Sequence, residues 1–153
     1  MPMSQSLSAV HVHIVFSTQG RIPFLIDPNL RPRLYAGLAN MSNRLECKVV
    51  LIGGVADHVH ILARQSPKVC LSDWVRELKS KSTPFLKRQD PALSKFAWQA
   101  GYGAFSVGAG DLNAVRRYIE RQEEHHRSES FQDELRRILR ENEMEWDEKY
   151  IWS

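Results

Sequence analysis

The sequence has few cysteines, no long apolar run and no large excess of charge of either sign. Its two cysteines, Cys47 and Cys70, are too few for a disulfide framework and lack metal-binding spacing, which fits a reducing cytoplasm. No apolar run approaches the roughly 18 residues of a membrane span. No basic-then-apolar signal pattern opens the chain either. We therefore expect a cytoplasmic protein without a membrane segment.

The remaining composition is that of an ordinary globular protein. The chain has 153 residues, of which 42% are hydrophobic, enough for one domain with a hydrophobic core. Its 21 lysines and arginines against 18 acidic residues give a net charge of only +3, which does not by itself indicate a nucleic-acid partner. Since repeats, low-complexity tracts and linkers are lacking, we expect residues 1–153 to form a single domain.

Hydrophobic patterning predicts the order β-α-β-β-α-β, followed by further helices. Strands are predicted over 9–17, 48–54, 58–64 and 96–107, the last together with its approach. Helices are predicted from Asp27-Pro28 to about Arg44, from Ser72-Asp73 to a kink or end at Pro84, from Leu112 to about His125 with Asp111 as cap, and from Ser130 onward. This order is the ferredoxin-like pattern, an α+β fold in which an antiparallel sheet carries two helices on one face and can leave the other open.

Two His-x-His pairs occupy predicted strands: His11 with His13, and His58 with His60. Side chains alternate along a strand, so each pair places both imidazoles on one face. Val59 and Ile61 then point to the core and leave His58 and His60 outward, while Asp57 can hold an imidazole as a hydrogen-bond acceptor. In the ferredoxin-like order the first and third strands are neighbours, which would bring the two pairs together. Alternating histidines are equally typical of the polar face of a half-exposed strand, and both interpretations stay open.

Tyr118 and Gln122 are four residues apart in a predicted helix and would share one face of it. With His58 and His60 they would supply two nitrogen ligands, one amide oxygen and a phenol. Such a set can bind a divalent cation and attack a phosphodiester. The alternative is that these residues only pack the helix on the sheet, since glutamine is an uncommon metal ligand and a helical tyrosine is most often a packing residue.

Several motifs spread over nearly the whole chain indicate a known family. They are H-I-V-F-S-T-Q-G-R (13–21), D-H-V-H-I-L (57–62), L-K-S-K-S (78–82), W-Q-A-G-Y-G-A-F-S-V (98–107), R-R-Y-I-E-R-Q (116–122), H-H-R-S-E-S-F-Q-D-E-L (125–135) and W-D-E-K-Y-I-W (146–152). In their order and separation they resemble the bacterial single-tyrosine HUH transposases, which comprise the single-strand insertion-sequence enzymes and the REP-associated tyrosine transposases. Among these motifs, the histidine pair and R-R-Y-I-E-R-Q are the most specific.

The resemblance implies a role for each candidate residue and a single HUH transposase domain. His58 and His60 match the two histidine ligands of a divalent metal (Mg²⁺ or Mn²⁺), Gln122 matches the third protein ligand, and Tyr118 matches the nucleophile. The implied enzyme is a DNA transposase that cleaves and rejoins single-stranded DNA at hairpin-marked ends through a 5′-phosphotyrosine. The implied active form is a homodimer in which the Tyr118 helix of one subunit can complete the metal site of the other.

DNA would be held by local cations and aromatic rings rather than by overall charge. The candidates are Arg116, Arg117, Lys79, Lys81, Trp98 and Tyr102. Two other functions remain open on the sequence: a non-catalytic protein that binds single-stranded or hairpin DNA on the same fold, and an unrelated metal-dependent hydrolase that uses only histidines. The base that accepts the phenolic proton is not evident from the sequence, and His11 and His13 are not assigned as ligands.

Overall fold

Among residues 4–153, which the computed structural model describes, four strands form one antiparallel sheet in the order β2-β3-β1-β4. The strands are β1 (His11–Ser17), β2 (Lys48–Gly54), β3 (His58–Arg64) and β4 (Gly103–Val107). All three neighbouring pairs are antiparallel, and β2 and β3 form the predicted hairpin. The α+β class, the ferredoxin-like strand order and the additional C-terminal helices are thus confirmed. The first strand starts two residues later than the predicted 9–17, and the fourth occupies only the last part of 96–107.

Two long helices cover the first face of the sheet. They are α1 (Leu30–Arg44) and α2 (Leu71–Gln89). The leucines at helical spacing in α1 are buried and meet Val59 and Ile61 of β3 in the main hydrophobic core. Side-chain alternation therefore commits one face of β3 to the core, as the sequence predicts.

The predicted starts of α1 and α2 are wrong, and α2 does not end at Pro84. The carboxylate of Asp27 accepts a hydrogen bond from the backbone of Asn29 in a turn, and α1 begins after that turn. Helix α2 has Cys70 rather than Ser72 or Asp73 at its N-cap, and it continues through Pro84 to Gln89. A proline inside a helix costs roughly 3 kcal/mol. Burial of Leu86 in the turn that follows offsets part of this cost.

The second face of the sheet, which the ferredoxin-like pattern can leave open, is covered in this protein. Helices α3 (Leu112–Glu120) and α5 (Phe131–Glu141) lie over it, with the one-turn helices α4 (Gln122–His125) and α6 (Glu148–Ile151). Val15 and Phe105 of the sheet pack against Phe131, Leu135, Ile138 and Leu139. His58 and His60 face this layer, and both are completely buried rather than outward.

The predicted continuous helix over 112–125 is interrupted at Arg121. This residue has φ −100° and ψ 20°, which ends α3 and starts α4. The Asp111 side chain makes no capping hydrogen bond, whereas the Ser130 hydroxyl accepts one from Asp133 and caps α5 as predicted. Tyr118 and Gln122 therefore lie on either side of a break instead of one turn apart on one helix. No helix of residues 4–153 is long and apolar enough to cross a membrane.

Helix α3 lies directly on the backbone of β2 at Gly53. A Cβ atom there would be 2.8 Å from both Cγ2 and the carbonyl oxygen of Ile119. We predict that Gly53→Ala lowers the free energy of unfolding by about 1–3 kcal/mol, because α3 must lift off the sheet. Urea denaturation would measure the change. Gly101→Ala is the matched control, since nothing lies within 4 Å of its Cβ. Equal stability of the two variants would contradict the close approach.

Candidate metal and nucleophile site

The two histidines of β3 point into the layer between the sheet and the C-terminal helices. His58 Nδ1 donates a hydrogen bond to Asp57 Oδ1 at 2.7 Å, which leaves His58 Nε2 directed into the cluster. Burial alone would lower the pKa of His58, but the hydrogen bonds to Asp57 and Glu134 raise it to about 9. Asp57 thus contacts the imidazole as the sequence predicts.

His13 of β1 lies beside His60, as the strand order predicts. His60 Nδ1 and His13 Nε2 are 2.7 Å apart and share a hydrogen bond, and the two rings stack. Burial, reinforced by His60, lowers the pKa of His13 to about 3, so this imidazole stays neutral. His11 pairs in register with Arg64 at the far end of the strand and does not join the cluster.

Glu134 of α5 is the residue at the centre of the site, and the sequence prediction missed it. Its Oε1 atom is 3.1 Å from His58 Nε2, 3.0 Å from His60 Nε2 and 3.1 Å from His126 Nε2. The carboxylate is completely buried. A sequence signal did exist: Glu134 interrupts the apolar stripe of α5 between Phe131 and Ile138, where a solvated acid would not be expected.

The second oxygen of Glu134 connects the histidines to the two functional candidates of the 116–122 motif. Tyr118 donates a short hydrogen bond from its hydroxyl to Glu134 Oε2. Gln122 donates to the same oxygen from its amide nitrogen at 3.1 Å, and its amide oxygen lies 3.1 Å from His58 Nε2. All four residues predicted for the site thus meet within one chain. A homodimer that shares the site stays a prediction.

Tyr118 also accepts a hydrogen bond from Arg137, a second residue that the sequence prediction missed. The guanidinium Nη2 atom lies 2.8 Å from the hydroxyl. Burial raises the pKa of Tyr118 and the Glu134 carboxylate raises it further, while Arg137 opposes both. The pKa of Glu134 shifts the other way. Burial would raise it, but the neighbouring imidazoles of His126, His58 and His60 lower it, so the carboxylate is ionised.

The donor set fits a divalent cation. The ligand atoms of His58, His60, His126 and Glu134 all lie within 4.8 Å of one another. Because Asp57 holds the Nδ1 proton of His58, a neutral His58 would turn an Nε2 lone pair towards the oxygens of Gln122 and Glu134. Convergent lone pairs need a positive charge between them. A proton on His58 can supply it in the metal-free protein, and Mg²⁺ or Mn²⁺, which accept oxygen ligands, can supply it otherwise.

The residues predicted to contact DNA differ in their exposure and in the partners that they already bind within the protein. Arg116 and Arg117 are exposed on α3, and Arg116 pairs with Glu120 at 3.6 Å. Lys81 is exposed on α2 and pairs with Glu77 at 3.0 Å.

Lys79 is engaged in the fold. Its ammonium group donates to the carbonyls of Gln99 and Gly101, and burial lowers its pKa to about 8. Trp98 is half-buried, with its ring against Phe16 and its Nε1 bonded to Ser82. Of the two predicted aromatic contacts, Tyr102 is the exposed one, beside a cavity of about 500 Å³ that Lys79 and Trp98 also line.

Comparison with known proteins points to DNA transposition. The sequence model of a family described as IS200-like transposases matches residues 6–122. A candidate transposase from Deinococcus radiodurans R1 superposes with a TM-score of 0.60 at 21% identity, over 80% of this chain and 98% of that one. A REP-associated tyrosine transposase, solved bound to a REP hairpin, superposes with a TM-score of 0.59 at 14% identity, over 82% of this chain and 74% of that one. No curated protein matches the chain in sequence.

Asp57 offers a direct test of the electrostatics of the site. We predict that Asp57→Asn lowers the pKa of His58 from about 9 in metal-free protein, because a neutral amide stabilises the imidazolium less than the carboxylate does. A titration of the imidazole ¹⁵N resonances in the presence of a chelator would measure it. Asp73→Asn on the exposed side of α2 is the control and should leave the titration unchanged. An unaltered His58 titration in Asp57→Asn would contradict the conclusion that Asp57 raises the pKa of His58.

Proposed function

Because the chain belongs to the IS200-like transposase family, we propose that it cleaves and rejoins single-stranded DNA through a covalent bond between Tyr118 and a 5′ phosphate. The observation that carries the proposal is the position of the Tyr118 hydroxyl. It lies between a buried carboxylate and a guanidinium, at the edge of a cluster of imidazole, amide and carboxylate donors. A packing tyrosine needs none of these neighbours.

His58, His60 and Gln122 would hold the divalent cation, Mg²⁺ or Mn²⁺. Bound there, the ion would polarise the scissile phosphate and stabilise its developing charge. Two hydrogen bonds orient these proposed ligands. The His58 ring bonds to Asp57, and Glu134 accepts a hydrogen bond from the amide nitrogen of Gln122. With its nitrogen held by Glu134, Gln122 turns its oxygen towards His58 and the ligand cluster.

Glu134 is the base that the sequence did not reveal. A tyrosine titrates near pH 10 when free, and burial makes the Tyr118 hydroxyl harder still to ionise. Glu134 Oε2 would take the phenolic proton as the Tyr118 oxygen attacks phosphorus, while Arg137 stabilises the forming phenolate. The bond from phosphorus to the 3′ oxygen breaks, and the leaving oxygen takes up a proton.

The reverse of these steps would rejoin DNA. A 3′-hydroxyl attacks the phosphotyrosine, and Glu134 returns the proton to Tyr118. The phosphodiester energy is kept in the phosphotyrosine, so no nucleotide cofactor is needed. The structural neighbour that holds a REP hairpin supports the further proposal that the DNA of this chain also carries a hairpin. A homodimer, which rests on the family resemblance, completes the proposal, together with the single domain and the cytoplasmic location expected from the sequence.

The nucleophile can be tested by trapping the adduct. Wild-type protein, incubated with Mn²⁺ and labelled single-stranded DNA that carries the hairpin end of the element, should give a covalent protein–DNA band on a denaturing gel. Tyr118→Phe should lose the band and keep its affinity for the DNA, because only the attacking oxygen is removed. Tyr150→Phe, an exposed tyrosine of α6, is the matched control and should behave as wild type.

The other outcomes of this assay identify the competing functions. DNA binding by wild-type protein without any adduct would indicate a binding protein on the same fold. Cleavage that survives in Tyr118→Phe would indicate a hydrolase in which the histidines act without the tyrosine. Either result would overturn the proposed phosphotyrosine mechanism.

The DNA contacts can be tested through the salt dependence of binding. Each phosphate neutralised by a cation contributes about 0.7 to the slope of log affinity against log salt for a single strand. We predict that Arg117→Ala reduces the slope by about 0.7. Arg44→Ala should leave it unchanged, since this exposed arginine ends α1 on the opposite face of the sheet. Binding titrations at several salt concentrations would measure the slopes, and equal slopes for both variants would remove Arg117 from the interface.

A further inference from the structure

We propose that Glu134 and His126 are ligands of the same cation as His58 and His60, so that the metal ties the C-terminal segment to the sheet. This inference rests on the proposed metal-dependent function and extends its ligand set. Both residues lie beyond residues 6–122, the part of the chain that matches the family model. His126 follows α4 directly, and Glu134 belongs to α5.

The distances favour one shared ion. Glu134 Oε1 is 3.0–3.1 Å from the Nε2 atoms of His58, His60 and His126. Neighbouring ligands of an octahedral ion with bonds of about 2.1 Å are separated by roughly 3 Å. The same oxygen therefore has the spacing from all three imidazoles that cis ligands have. The other oxygen of the Glu134 carboxylate, Oε2, accepts the hydrogen bonds from Tyr118 and Gln122.

Before DNA binds, the charge of the site favours an acid among the ligands. His58, His60 and Gln122 are all neutral as ligands, so without the DNA phosphate a dication held by them alone would be buried with no anion in contact. Burying uncompensated charge is costly. Glu134 is the carboxylate that faces the ligand atoms directly, and it is completely buried. Asp57 lies behind the ring of His58 and is partly exposed. Mg²⁺ and Mn²⁺ both favour carboxylate oxygens.

His126 gives an independent indication. Only 9% of its side chain is exposed, and its Nε2 lies 3.1 Å from Glu134 Oε1. Yet this nitrogen makes no hydrogen bond to any residue that the structure describes. A buried imidazole nitrogen without a hydrogen-bond partner is uncommon. A cation at the centre of the cluster would take its lone pair.

The binding of Mn²⁺ to the purified full chain tests this ligand set without reference to DNA cleavage. We expect Glu134→Gln and His126→Gln each to weaken Mn²⁺ binding by at least about tenfold in calorimetric titration, since even a residue behind a ligand costs 10–100-fold. Glu141→Gln, an exposed residue of α5, and His11→Gln, outside the cluster, are the matched controls and should bind as wild type. Thermal melts with a chelator would show which variants fold.

A measurement on wild-type protein keeps the inference testable if a variant fails to fold. Electron spin echo spectroscopy of bound Mn²⁺ should show couplings to three imidazole nitrogens, and His126→Gln should show two. Hydrogen exchange should slow in residues 126–141 when Mn²⁺ is added, because the ion bonds that segment to β3.

Three results would overturn the inference, and the first two are separable from failure of the proposed function. Unchanged Mn²⁺ binding in both variants, with two imidazole couplings in wild type, would leave the proposed function intact and exclude the added ligands. Tighter binding in Glu134→Gln would show that the carboxylate fills the place of the metal and competes with it. A wild-type protein that binds no Mn²⁺ would overturn this inference together with the metal-dependent step of the proposed function.

Discussion

A buried carboxylate that must be matched by positive charge organises the second half of this molecule. Glu134 is completely enclosed, and an unmatched charge in that position would cost several kcal/mol. Its two oxygens contact three imidazoles, an amide and a phenol, so five side chains of the site share Glu134 as a neighbour. Because Glu134 belongs to α5, the packing of this helix on the sheet is coupled to the arrangement of the site.

The sheet supplies the fixed side of this arrangement. Alternation along β3 sends Val59 and Ile61 into the main core and His58 and His60 into the site, so the ligands are attached to a strand whose first six residues are buried. The antiparallel neighbour β1 adds His13, which supports His60 from behind. Rigid strands hold ligands more precisely than loops do. The other partners, Tyr118 and Gln122, are contributed by the helical layer.

Features set by local periodicity, and the strand order that follows from a known fold pattern, could be predicted from the sequence, whereas side-chain contacts between distant helices and the sheet could not. Strand β3, its histidines and the pair Tyr118 and Gln122 were visible because their spacing is set within one element or motif. The covered second face was missed because nothing local shows which helix an apolar strand face will meet. The break at Arg121 was missed for a similar reason, because Gln122, which follows it, is buried in contacts with residues distant in sequence, His58 and Glu134.

Glu134 and Arg137 illustrate the same limit at the level of single residues. In sequence they belong to a helix rich in charge, where acids and arginines are usually solvated. Their role depends on residues 16 and 19 positions away, which only the folded chain brings near. An acid within an apolar stripe was the one local sign that Glu134 differs from its neighbours.

The contact of α3 with Gly53 fixes the position of the proposed nucleophile, Tyr118, relative to the backbone of β2. Because no side chain separates Ile119 from β2, the depth of Tyr118 above the sheet is set by backbone packing and not by a rotamer that could vary. A displacement of about 1 Å can cost a reaction 10²-fold in rate. Gly53, which is not part of the proposed metal site or DNA contacts, would thus set the distance between Tyr118 and the sheet. It does so because it has no side chain, which lets α3 lie directly on β2.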